Sequence, residues 1–338
     1  MHIEKKILVI RLMGLGDVAC IGLPGLRLLR LTYPHAKFSF LTYASAGEII
    51  QLEQGLEDIL VLSPKDWPDN FEEAVNSFTK IGTGIIKRRY DLVYNLDTWF
   101  MPCFLTRFLK DNGIMVKGNY LNKSIKELLE QAGNGKLTND FFFFSRAYIE
   151  STFPAIDAWH SGPWWKREDT PSYPEYYLNH CCNIPGRIDM GIDLAEDEEL
   201  KKESEGKPII ALATQARAAN RQYPFSEGLK SLLLKEGYYV WGDFDASLPL
   251  QNTLKKLKAS NLLITVPSAP QWLARMVGCK VLLIPGPTSP GYLGERYHIP
   301  KIVQCQYCMY HECLEKIDNA CMKVDPKDVM KIVKKIVN

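Results

Sequence analysis

The sequence predicts an α/β protein made of two Rossmann-like domains facing each other across a cleft. Three observations carry that expectation. Residues 6–42 read as strand, glycine turn, helix and strand, the opening of a parallel sheet. Pro208-Ile-Ile-Ala-Leu-Ala213 starts another strand with the same placement, so a second α/β domain begins there. The chain has 338 residues, more than one ordinary core serves.

Composition narrows the function classes. The chain is 46% hydrophobic and 24% charged, as in soluble globular proteins. A formal charge of +2 makes no broad electrostatic case for a nucleic-acid or membrane partner. No apolar run approaches the roughly 20 residues of a membrane helix. Met1-His-Ile-Glu-Lys-Lys6 leads straight into a core strand, so a secretory signal is not expected and the expected location is the cytoplasm. There, nine cysteines are not expected to be mostly disulfides.

In chain order, Lys6–Leu12 is a buried strand and Met13-Gly-Leu-Gly-Asp-Val18 a turn with two glycines and one acid. Ala19–Leu31 is a helix stopped by Tyr33-Pro34, and Phe38–Thr42 is the second strand. In parallel sheets the site lies at the carboxyl ends of the strands, beside helix N-termini, and Asp17 stands there. A helix over Ala46–Gln54, a strand over Asp58–Leu62 and loop plus helix over Trp67–Ile81 follow. Tyr90–Asp97 is a further strand whose last residue, Asp97, reads either as a strand-end turn residue or as a site contact. Residues 110–190 are the least legible. Phe141–Phe144 reads as core or interface. The aromatic run around Trp159, His160, Trp164 and Trp165 reads either as an acceptor-binding wall or as a packed interdomain connection.

The second half repeats the grammar. Thr214–Arg221 is a polar loop and Pro224–Leu234 a helix. Tyr238–Gly242 is a strand with Gly242-Asp243 as its exit turn. Leu262–Val266 is a strand, Pro267–Gln271 a tight turn, and Trp272–Val277 a helix. Lys280–Ile284 is a strand before the rigid loop Pro285–Pro290. Pro326–Asn338 is a basic amphipathic helix.

Several of these stretches together resemble family nine glycosyltransferases, the bacterial heptosyltransferases. The resemblance runs through Ile7–Val18, Leu23-Pro24, Leu26-Arg27, Leu29-Arg30, Tyr33-Pro34, Tyr90–Val93, Arg221-Gln-Tyr-Pro224, Gly286-Pro-Thr288 with Pro290, and the cysteines with Asp325-Pro326 and Val329. It implies the GT-B fold. Residues 1–185 would take the acceptor, residues 186–325 the nucleotide-sugar, commonly ADP-heptose, and the terminal helix 326–338 would cross back to the first domain. It implies an inverting transfer of a heptose or related sugar to a glycan, lipid-linked or protein acceptor, with no metal needed for catalysis. Peripheral membrane contact and oligomerisation stay open.

The chemistry asks for a base at the acceptor hydroxyl and for positive charge or oriented donors at the departing diphosphate. Asp17 matches the family's base. From the residues alone the helix-cap reading comes first, since Asp is a good N-cap. Met13, Gly14, Gly16 and Asp97 are the other acceptor-side candidates. Arg221 stands where the family has a phosphate-binding lysine, and a guanidinium can do that work. Thr214, Gly242, Asp243, Ser268, Ala269 and Thr288 complete the donor-side candidates, the turn at Ser268-Ala269 through backbone amides at a helix start. Two departures stand out: Pro267 occupies the family's usual Asp position and Trp272 its usual His position. They put the donor in doubt and allow a non-catalytic relative that binds sugar nucleotides or serves as a scaffold. A nicotinamide-dependent oxidoreductase fits poorly, because the opening turn lacks the third glycine of the dinucleotide fingerprint.

Cys305, Cys308, Cys313 and Cys321 lie within seventeen residues. A Cys-x-x-Cys pair with two more nearby has metal-ligand spacing, and four thiolates suit zinc or iron. Protein-modifying relatives in the family carry iron at a comparable cluster. Disulfides or free thiols are the alternatives. His311, among them, reads as an exposed loop residue.

Overall fold

The computed structural model describes residues 4–63, 66, 70–137, 139–166, 171–310, 312–313 and 318–337; Trp67 and His311 lie outside them. Strands β1 (Lys6–Ile10), β2 (Lys37–Tyr43), β3 (Leu56–Leu62), β4 (Leu92–Asn95), β5 (Val116–Leu121) and β6 (Ile149–Ser151) form one sheet in the order β3-β2-β1-β4-β5-β6. Its pairs are parallel except β5 with β6. Strands β7 (Ile209–Ala213), β8 (Tyr239–Trp241), β9 (Leu262–Thr265), β10 (Val281–Leu283) and β11 (Tyr297–His298) form a parallel sheet in the order β11-β10-β9-β7-β8.

Central parallel strands are covered by helices on both faces, so they are apolar without alternation. β1 is such a strand: Ile7, Leu8, Val9 and Ile10 are all fully buried. In the first sheet the chain runs outward from β1 to β3, then returns to β4 on the other side. In the second it runs from β7 to β8, then returns to β9 on the other side. These reversals are topological switch points, where diverging loops leave room for a ligand. They fall after β1 and β4, and after β7 and β9.

The expected boundary near residue 185 is more involved in the structure. One compact unit holds Met1–Gly162 and Pro174–Asp189, the other Pro163–Tyr173 and Met190–Asn338. The aromatic run divides accordingly. Trp159 packs on Tyr177 in the first unit at 4.9 Å between ring centroids. In the second unit Tyr173 stacks on Tyr292 at 5.2 Å, and Trp164 lies 5.3 Å from Tyr292. Phe141 and Phe142 pack edge-on against Phe100, as a core reading requires, while Phe144 is exposed.

The terminal helix, Pro326–Val337, corrects one expectation. It packs inside the second unit instead of crossing back. Val329, Met330, Val333 and Ile336 form one apolar stripe and join a core with Leu229 and Leu233 of the Ser226–Lys235 helix. Lys334 bridges to Glu236 at 2.5 Å beside that contact. A helix also runs over Leu250–Ala259. Among the described residues no helix is long and apolar enough to cross a membrane.

Candidate functional site

The first group sits at the switch point after β1 and β4. The helix after the glycine turn starts at Leu15, with the amides of Asp17 and Val18 donating to the Gly14 carbonyl at 2.9 and 3.1 Å. Helical bonding widens to i→i+5 over Val18–Gly22 before the Leu23–Thr32 helix resumes regular geometry. The Asp17 carboxylate makes no capping hydrogen bond. It accepts instead from Arg11 Nη2 at 3.1 Å.

Arg11 is only 1% exposed. Its Nη1 donates to the Leu96 carbonyl at 2.5 Å and lies 3.4 Å from Asp97 Oδ1, and its guanidinium faces the Tyr177 ring at 5.6 Å. Asp97 is fully buried, with Oδ2 accepting from the Leu12 amide. Its own amide donates to Asn95 Oδ1 at 2.9 Å, and Asn119 Nδ2 donates to its carbonyl at 2.8 Å. Tyr177 closes the group by donating to the Leu96 carbonyl at 2.8 Å. Asp97, read from sequence as either turn or site residue, is therefore a buried counter-charge, and Met13, Gly14 and Gly16 form the turn that carries Asp17.

Burial pushes the Asp97 carboxyl up to about 6, with Asp17 adding in the same direction, while Arg11 and the Leu12 and Met13 amides pull it down. The folded chain then holds this proton more tightly than the unfolded chain does. The associated stability is fully present below the unfolded value near 4 and is lost as pH rises through about 6. Urea unfolding from about pH 4 to 7 should show wild type losing on the order of 2–3 kcal/mol relative to Asp97→Asn. Parallel curves for the two proteins would contradict that assignment.

The second group sits in the other unit, after β7, β8 and β9. A cavity of about 390 Å³ is lined by Thr214, Gln215, Ser226, Glu227, Lys230, Trp241, Gly242, Phe244, Asp245 and Pro270, with Leu212, Ala213 and Val240 at its base. Thr214 and Gly242 thus line one cavity. The Thr214 hydroxyl meets the Ser226 hydroxyl at 2.6 Å. Gly242 passes so close to β7 that a Cβ there would lie 2.9 Å from the Leu212 carbonyl oxygen. Asp243 turns away, its exposed carboxylate 3.7 Å from Lys256, and Phe244 stacks on Trp241 at 4.8 Å in its stead. Ser268 and Ala269 precede Pro270 at the start of the Ala269–Met276 helix, whose first amides no side chain caps.

Arg221 and Thr288 belong to the same unit. Arg221 ends a short turn of helix at Ala219–Arg221, half-buried, and its Nε has no hydrogen-bond partner among the described residues. Burial lowers its proton affinity, and Tyr292 and Cys308 lie within electrostatic reach. Thr288 is buried, and its hydroxyl also lacks a partner among the described residues. Buried polar atoms are normally paired, so these two are sites where a bound ligand would be expected to contribute. The Thr288 amide donates to the Pro285 carbonyl at 3.0 Å, and Gly286 makes the bend with φ +53. A Cβ on Gly286 would fall on Met322 Sδ. Gly286→Val should therefore lower stability by roughly 3 kcal/mol, from left-handed strain and overpacking together. Chemical denaturation checks this, and an unchanged midpoint would contradict it.

Trp272 is buried, 6.3 Å from the Tyr173 ring and 5.3 Å from the Arg275 guanidinium. It is a packing residue. Gln271 Nε2 donates to Glu295 Oε1 at 3.0 Å beside it. Cys308, Cys313 and Cys321 are free thiols in the structure. Burial, then the charges of Cys305, Cys308 and Cys313, push the Cys321 thiol up to about 11. Among the described residues no three Cys, His, Asp or Glu side chains are arranged to hold a metal ion.

Arg11, the Asn95 and Asn119 side chains that hold Asp97, and Tyr177 escaped the sequence reading. An arginine closing an all-apolar strand was the available signal, since such a charge cannot be buried without a partner.

No protein-family model and no curated protein matches the sequence. Solved structures do match along the whole chain. The family 9 glycosyltransferase of Veillonella parvula shares 15% identity, covers 100% of this chain and 98% of its own, and superposes with a TM-score of 0.65. The E. coli ADP-heptose LPS heptosyltransferase II shares 16%, with 98% of both chains covered and a TM-score of 0.61. The chain has the GT-B fold. Another GT-B structure, the iron-containing dodecameric glycosyltransferase TibC of enterotoxigenic E. coli, shares 15% identity, with 99% of this chain and 77% of that one covered and a TM-score of 0.57. At these identities it is the fold that is shared. The two sheets are its Rossmann-like units, with the Asp17 group in the first and the Thr214–Gly242 cavity in the second.

Proposed function

We propose that the protein is an inverting glycosyltransferase that moves a heptose or related sugar from ADP-heptose to a glycan, lipid-linked or protein acceptor. The observation that carries this reading is the Asp17 carboxylate, turned from a capping role and held by a buried arginine at the switch point of the first unit. A similar GT-B structure was solved with ADP-2-deoxy-2-fluoro heptose.

In the proposed step, the acceptor oxygen attacks the anomeric carbon from the face opposite the diphosphate. Asp17 takes the hydroxyl proton as the new C–O bond forms. The bond from the anomeric carbon to the diphosphate oxygen breaks, and the electron pair leaves with ADP. Arg221 and the amides at the start of the Ala269–Met276 helix meet the charge that develops there. The cavity edged by Thr214, Trp241 and Gly242 takes the nucleoside. No charge in this step passes through a metal.

Cys305, Cys308, Cys313 and Cys321 would hold a structural zinc or iron. Four soft thiols fit such a metal in kind, and they would have to draw together on binding it. Its contribution would be to pin a loop. Elemental analysis should find about one metal per chain; its absence from protein purified without chelators would remove the site.

A specific observation favours a second reading, a sugar-nucleotide-binding relative without turnover. Pro267 offers no side-chain polar group, and buried Trp272 is used in packing against Tyr173, so neither replaces the family's usual Asp and His. Nucleotide release from ADP-heptose over an acceptor panel separates the two. Acceptor-dependent release supports transfer. Binding with no release across the panel supports the second reading.

A further inference from the structure

We infer that Arg11 and Asp97 are positioning residues for Asp17: Arg11 clamps its carboxylate in place, and Asp97 is the counter-charge that sets how hard the clamp holds. This rests on the reading of Asp17 as the base. With exposures of 1% and 0%, Arg11 and Asp97 are too buried to meet a substrate, so their influence must pass through Asp17, which remains partly exposed.

The geometry makes the clamp rigid. A guanidinium is planar, so fixing one edge fixes the other. Nη1 is fixed by the Leu96 carbonyl at 2.5 Å and by Asp97 at 3.4 Å, and the plane lies against the Tyr177 ring. Nη2 then presents one direction to Asp17, at 3.1 Å. Asp97 is held in turn by the Leu12 amide, and its main chain by Asn95 and Asn119.

The groups facing Asp97 from the elements around it are Arg11, Asp17, Tyr43, Cys103, Tyr148 and Tyr177, with Cys182 beside Tyr177. Burial pushes these phenols and thiols up, so they are neutral at working pH. The charged members are one cation and two carboxylates. With Asp97 ionised, Arg11 divides its charge between both. Once Asp97 takes a proton, the whole cation falls on Asp17 and competes with the acceptor's proton for the same lone pairs. The rate should then drop as Asp97 protonates, near pH 6.

The test is the pH–rate profile of nucleotide release from ADP-heptose by the full chain, for wild type, Asp97→Asn, Arg11→Lys and Arg11→Met, with Asp17→Asn as control. Wild type should lose rate below about pH 6. Asp97→Asn should be about tenfold slower at neutral pH and lack that inflection. Arg11→Lys should keep more activity than Arg11→Met. A uniform loss in Asp97→Asn with the inflection intact is what a merely structural role gives, and it overturns the inference. So does an Arg11→Lys no better than Arg11→Met. If Arg11→Met does not fold, the Asp97→Asn profile decides alone. Full turnover by Asp17→Asn removes the base reading and this inference with it. A dead Asp17→Asn beside a wild-type profile in Asp97→Asn removes only the inference.

Discussion

Asp17→Asn will lower the rate of sugar transfer by about a thousandfold and leave nucleotide binding unchanged. The substitution keeps the size of the side chain and an oxygen able to accept from Arg11, so the Arg11–Asp97 group stays filled. It removes the ability to take a proton. The residues proposed to meet the nucleotide, Thr214, Gly242 and Arg221, belong to the other unit. The loss should appear in kcat, since the proton moves only as the acceptor attacks. Steady-state turnover checks the first half and the ADP-induced rise in melting temperature the second. Turnover within a few-fold of wild type would remove Asp17 as base.

Arg221→Ala will weaken ADP binding by about 10- to 100-fold and lower turnover further, because in the proposed step the same cation would meet the diphosphate in the ground state and as it departs. Arg221 is half-buried, and among the described residues its Nε has no partner and no ion pair involves it. A surface arginine in a polar loop would not be held so. Arg221→Lys should recover part of the binding, since a point charge replaces a fork. Titration calorimetry with ADP reads both. Equal affinity for ADP in wild type and Arg221→Ala would show the side chain to be an ordinary loop residue.

The fold was legible where the chain speaks in strong local pattern. β1, β2 and β4 are apolar runs ending in turn residues, and β7, β9 and β10 repeat that form. The stretch from residue 110 to 190 resisted because its elements are short and stabilised by distant partners. β6 has three residues and pairs antiparallel with β5, and Pro163–Tyr173 takes its place through Tyr292 and Trp272. The terminal helix was recognised as a helix but assigned the wrong neighbour, because an apolar stripe states that a face is buried without naming what covers it. Asp17 was found through its position after a glycine turn. Arg11 was passed over because it stood inside a strand pattern, and its partners Asp97 and Tyr177 are 86 and 166 positions away in sequence.

The most direct test of the central claim is a thermal-shift comparison of the full chain with ADP, GDP, UDP, CDP and their sugar conjugates, ADP-heptose included. A ligand held well above its dissociation constant raises the melting temperature by mass action. The account predicts the largest rise with ADP-heptose, a smaller one with ADP, and little with the other bases. Melting temperatures unmoved by every nucleotide and conjugate would contradict it.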